Sequence, residues 1–176
     1  MPVLPIRTVP DPILRKKTKR VTTIDKSIKK LVADMRETLH ADVGRVGLAA
    51  PQIGVSLRVT VICLPEEEDI ILINAEIVRR KGQRLVSEGC LSIPGYIGQV
   101  YRSESVTVKG LDLKGKEIRI KGEGLLSQAL EHEIDHLNGV LYIDRLESPE
   151  SLHKIEPDDV LEQNTDSSQT ARSSVE

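Results

Sequence analysis

Two histidines four residues apart, with a glutamate directly after the first, stand in the run Ala129-Leu130-Glu131-His132-Glu133-Ile134-Asp135-His136-Leu137. On an α-helix, positions i and i+4 share one face, so His132 and His136 present their imidazoles at the separation that one tetrahedral metal needs. Glu133 then projects beside the metal, where a carboxylate can take a proton from an activated water. Hydrolysis by such a site needs at least one more protein ligand and an open fourth position. Downstream, the chain offers His153 and glutamates in a weakly patterned segment. Upstream it offers Cys90, flanked by Gly89 and Ser92 in a stretch of little apolar character, and Cys90 is the better third ligand. The other cysteine, Cys63, goes with the apolar run Val59-Thr60-Val61-Ile62 and reads as a packed thiol. Two rival readings stand beside metal hydrolysis with Cys90. One is a zinc endopeptidase that draws its third ligand from downstream. The other is a non-catalytic, metal-stabilised binding module with its metal closed to water.

The histidines need a helix, and the sequence supplies one. Leu126, Leu130, Ile134 and Leu137 form an apolar stripe next to them, and Gly139 falls where a C-terminal cap belongs, so the helix starts near Gly124 or Leu125. A second, amphipathic helix is predicted over Asp25 to His40, with Ile28, Leu31, Val32, Met35 and Leu39 on one face and Asp25 as N-cap. Gly44 to Gly54, rich in small residues, is predicted to be a close-packed loop. Strands are predicted over Leu57 to Cys63 and Ile70 to Val78, with Arg84 to Ser87 leading into Cys90. A hairpin through Lys114-Gly115 should join Ser103–Asp112 to Lys116–Lys121, and Val140 to Ile143 reads as a short closing strand. The expected fold is α+β: mainly antiparallel strands packed around a central helix that carries the His-Glu-x-x-His motif.

The chain has 176 residues, 39% hydrophobic, with a formal charge of −2. This balance points to neither DNA nor membrane as a partner. With three Tyr and no Phe or Trp, the core must be aliphatic. No apolar run is long enough to span a bilayer, and two cysteines without an export signal suggest a reducing, cytoplasmic setting. Eight cations crowd Arg15 to Lys30 against one acid; they read first as a solvated face, and ribosomal RNA is the partner such a face would contact weakly. Residues 1–147 form the expected catalytic domain. Residues 148–176 form an acidic, Ser/Thr-rich tail expected to be disordered.

Three stretches together, Gly47-Leu48-Ala49-Ala50-Pro51-Gln52, Glu88-Gly89-Cys90-Leu91-Ser92 and His132-Glu133-Ile134-Asp135-His136, resemble the signature motifs of bacterial peptide deformylases, in the family's order. The likeness covers roughly residues 3–147. It implies removal of the formyl group from the N-terminal formylmethionine of newly made polypeptides, with release of formate. Cys90, His132 and His136 would hold one divalent metal, which the family implies to be Fe(2+), although zinc, nickel or cobalt suits the same donors. Glu133 would act as general base and then general acid. The resemblance gives Gln52 (side-chain amide) and Leu91 (backbone N–H) the role of stabilising the oxyanion. It also implies that the loop at Gly47 pairs with the peptide substrate. Val46, Leu125 and Ala129 are candidates for the methionine pocket, and Arg102 is aligned with a substrate-region arginine. Two positions depart from the family pattern. Arg45 stands where a glycine is usual, and Glu131 where a glutamine is usual.

Overall fold

The computed structural model describes residues 3–155. In chain order its elements are α1 (Lys26–His40), β1 (Gly47–Ala49), β2 (Val59–Ile62), β3 (Ile70–Lys81), β4 (Arg84–Cys90), β5 (Ile93–Arg102), β6 (Ser105–Leu111), β7 (Glu117–Glu123), α2 (Gly124–Leu137) and β8 (His153–Lys154). The strands form a five-stranded antiparallel sheet, β1-β2-β3-β6-β7, and a three-stranded one, β4-β5-β8.

Strand β2 shows why the core is aliphatic. All four of its residues are buried, because the five-stranded sheet is covered on both faces. Val59 and Val61 pack with Val32, Met35 and Leu39 of α1. Ile62 turns to the opposite face, with Leu130, Ile134 and Leu137 of α2. A third cluster, Leu14, Ile93, Val100, Leu141 and Tyr142, lies against the three-stranded sheet. Helix α2 therefore sits centrally, and α1 caps the outer face with its N-cap Asp25 accepting from the Ser27 and Ile28 amides.

The C-terminal end of α2 is pinned with unusual thoroughness. The buried Arg58 guanidinium donates to Leu137 O (3.1 Å), Asn138 Oδ1 (2.9 Å) and Ala75 O (2.9 Å). The Thr18 hydroxyl also donates to Leu137 O, at 2.7 Å. A cation and a hydroxyl on the Leu137 carbonyl satisfy a group that a helix end leaves unpaired. Gly139 follows with φ +74, and a Cβ there would meet Arg15 O at 2.5 Å, so glycine is required.

Three expectations are corrected. The Gly44–Gly54 segment is not all loop: it contains β1 and a 3₁₀ turn over Ala50–Ile53. Val140 to Ile143 gives no strand; the chain curls into a 3₁₀ helix at Tyr142–Arg145, because Asp144 accepts the Leu141 amide at 3.0 Å. Residues 148–155 pack onto the domain, through a 3₁₀ turn at Pro149–Ser151 and through β8, which pairs Ile97 with His153 and Tyr96 with Lys154. The rest of the expected tail, 156–176, lies outside the described residues.

Candidate metal centre

Three donor atoms converge where β4 meets α2. Cys90 Sγ lies 3.3 Å from His136 Nε2, which lies 3.2 Å from His132 Nε2. Ligands that share one tetrahedral ion with bonds of about 2.0–2.3 Å stand roughly 3.3–3.8 Å apart, so the donors are already at ligating separation. The helix supplies both rings from one face. The sulfur arrives from the last residue of β4, where the β4–β5 ladder shifts register between Glu88 and Cys90, a kink that re-aims a side chain.

The tautomer of His132 is also set. Its Nδ1 is hydrogen-bonded to Glu88 Oε1, so the proton sits on Nδ1 and the Nε2 lone pair faces the other two donors. Glu88 is held in turn by Arg102, whose Nε and Nη2 donate to its two oxygens at 2.9 and 2.5 Å. Burial pushes the Glu88 carboxyl up, but the hydrogen bonds from His132 and Arg102 outweigh it and hold the group down at about 2. Arg102 then reaches Asp135 Oδ2 at 2.8 Å, and Arg145 closes the far side of Asp135 at 2.6 and 2.9 Å. This chain of charges runs from one imidazole to the next turn of its own helix and fixes the ring in space. Tyr142 stacks on the other side of His132, with centroids 6.4 Å apart.

Arg102 therefore stands elsewhere than expected. The resemblance aligns it with a substrate-region arginine, yet its side chain is 1% exposed and is spent on two carboxylates behind the converging donors. It does not line the cavity. Conversely, Glu88 and Asp135, which stand in two of the motifs, take up a role that the sequence reading does not assign them. The signal was available: a histidine ligand needs a carboxylate behind it, and an acid two residues before Cys90 was the nearest one in a motif.

Glu133 is 4% exposed, and its Oε2 has no hydrogen-bond partner among the described residues. Burial drives its carboxyl up to about 7, against the pull of His132. A buried acid with an unpaired oxygen, beside three convergent donors, fits a bound cation and its water. Gly47 closes this side: a Cβ there would lie 2.6 Å from Glu133 Oε1. The Gln52 amide is oriented, since its Oε1 accepts from the Ala49 N–H at 2.9 Å; Nε2 is then turned to within 3.7 Å of Cys90 Sγ and 3.2 Å of Ser92 Oγ.

The donors open on a cavity of about 720 Å³. Val46, Gly47, Gln52, Leu91, Leu125, Ala129, Cys90, His132 and Glu133 all line it. Every expected site residue except Arg102 and the buried His136 is on its wall. His153, the downstream alternative for a ligand, is exposed on β8. The two departures are absorbed nearby: Arg45 donates to Thr38 O at 2.5 Å, and Glu131, 7% exposed, accepts from the Ser103 amide at 2.7 Å.

An acid poised beside convergent metal donors, on the floor of a cleft lined by apolar groups, defines a metal-dependent hydrolase. Comparison with known proteins narrows the class. A family model described as polypeptide deformylase matches residues 3–151. A peptide deformylase of Dehalococcoides mccartyi (strain CBDB1) is 56% identical over 160 residues, spanning 90% of this chain and 95% of that protein. The crystal structure of a Legionella pneumophila peptide deformylase superposes with TM-score 0.81 at 43% identity, covering 98% of this chain and all of that one. One from Synechococcus elongatus in complex with actinonin gives TM-score 0.81 at 39% identity, covering 86% and 82%. The chain belongs to the peptide deformylase family. It is a metal-dependent enzyme that removes the formyl group from the N-terminal formylmethionine of new polypeptides. No helix among the described residues is long and apolar enough to cross a membrane.

Proposed function

We propose that Cys90, His132 and His136 hold a single ferrous ion and that Glu133 is the proton shuttle for formyl hydrolysis, in the cytoplasm. The observation that carries this reading is the convergence of the three donors, at 3.2 and 3.3 Å, beside a buried carboxylate with a free oxygen. A bound divalent ion supplies Lewis acidity and a water acidic enough to ionise near neutral pH. Glu133, already inclined to hold a proton, accepts one from the attacking water and passes it to the departing amine. The Gln52 Nε2 and Leu91 N–H stabilise charge on the formyl oxygen; each such donor is worth about 10²–10³ in rate. Val46, Leu125 and Ala129 receive the methionine side chain, and Gly47 lets the peptide backbone approach.

The test is formate release from formyl-Met peptides by anaerobically purified protein, with and without chelator, alongside Glu133→Ala. The variant should lose about 10²–10⁴ in rate and keep its metal. Retention of full rate would remove Glu133 from the mechanism.

The eight cations of Arg15 to Lys30 are all exposed. A weak contact with ribosomal RNA is the partner this face suits. Reversing Lys16, Lys17 and Lys19 to glutamate should weaken co-sedimentation with ribosomes and flatten its salt dependence; unchanged behaviour at low salt would make the face merely solvated.

A further inference from the structure

Among the described residues, a second set of three donors lies within 4.8 Å of one another: His40, Cys63 and Asp69. It sits on the far side of the five-stranded sheet from the metal helix. Cys63 packs at the edge of the core on the α1 side, as expected of it, but its sulfur also faces two polar groups. It stands one residue beyond β2, half-buried, with Sγ 3.8 Å from His40 Nδ1. The other ring nitrogen of His40 lies 3.0 and 2.9 Å from the two Asp69 oxygens. The Asp69 side chain is 6% exposed, while the His40 side chain is half-exposed.

We propose that His40, Cys63 and Asp69 form a second site for a borderline-soft divalent cation of the zinc class. A thiolate, an imidazole and a carboxylate are the donor types such an ion takes, with one position left to water. The sulfur–nitrogen separation is close to that of the catalytic set, 3.8 against 3.3 Å. Local charge favours a cation: His40 is in the last turn of α1, where helix carbonyls point outward, and Glu66, Glu67 and Glu68 stand exposed on the connecting turn. Arg36 works against it by occupying Asp69 Oδ2 at 2.7 Å, which leaves Oδ1 as the ligating oxygen.

The ion would clip the end of α1 to the β2–β3 turn. That turn is tied to the substrate cleft, because the Cys63 N–H donates to Val46 O at 2.7 Å and Val46 lines the cavity. The site is thus placed to steady the edge of the cleft from behind without touching the reacting groups.

Full-length protein carrying nickel in the catalytic centre is dialysed against chelator-buffered micromolar zinc, and both metals are counted per chain. One nickel and one zinc are expected. Cys63→Ser and His40→Gln should each abolish the zinc while nickel stays, and His40→Gln, at a half-exposed position, should leave folding intact. Cobalt offered in place of zinc should show a thiolate charge-transfer band that Cys63→Ser removes. Zinc absent from the wild-type protein, zinc taken up only as nickel leaves, or zinc kept by both variants would each overturn the site.

Discussion

Replacing Gly47 by alanine adds a single methyl carbon where the structure has no room for it. That carbon would lie 2.6 Å from Glu133 Oε1 and 2.9 Å from both Cδ and Cγ. Comfortable contacts are about 3.5 Å or more, so roughly an ångström of movement is needed. The backbone does not resist alanine, since Gly47 is not among the glycines with positive φ. The strain therefore falls on the end of the Glu133 side chain, which must shift within the cavity that it lines. Misplacing a reacting group by that distance costs about 10² in rate. The ligands lie on another face of α2 and on β4, so metal binding is untouched. The expected variant keeps its metal, melts close to the wild type and loses about a hundredfold in kcat for formate release. A kcat within about threefold of wild type, far short of that loss, would show that Glu133 does not depend on the Gly47 wall. A rise in KM alone would instead assign the glycine to peptide binding.

Other perturbations test other parts of the centre. Glu88→Gln removes the charge behind His132 and should weaken metal affinity about 10–100-fold, read by competition with a chelator. Cys90→Ser should lose the metal far more severely, because a neutral hydroxyl is a poor substitute for a thiolate; the wild-type iron form should lose activity in air through oxidation of that sulfur, and nickel should protect it. Arg58→Leu removes the donor to two oxygens at the end of α2 and to Ala75 O of β3 and should cost about 1.5–3 kcal/mol in denaturant melts, with a smaller loss showing that Thr18 alone suffices.

What the sequence made legible was whatever is local. The helix under His132 and His136, the N-cap at Asp25 and the hairpin through Lys114-Gly115 all appear close to their expected bounds. Those signals are periodicity and turn chemistry within a few residues. Arg102 failed because its partners, Glu88 and Asp135, are 14 and 33 residues away, and no local pattern distinguishes a cation buried between carboxylates from one facing a ligand. β8 was missed for a related reason. Two residues carry no alternation, and only its pairing with β5 makes it a strand. The donor cluster at His40, Cys63 and Asp69 was equally invisible, since it forms only where the end of α1 meets the β2–β3 connection, 23 residues on from His40 to Cys63.

The stacking of Tyr142 on His132 has an optical consequence. The chain contains no tryptophan, so its near-ultraviolet emission belongs to Tyr96, Tyr101 and Tyr142. The first two are about half exposed, whereas Tyr142 is buried, with its ring centroid 6.4 Å from that of His132, a proposed metal ligand. Filling the site with a paramagnetic ion such as cobalt should dim the Tyr142 emission and spare the other two, so the protein carries its own indicator of metal occupancy, readable without label or substrate.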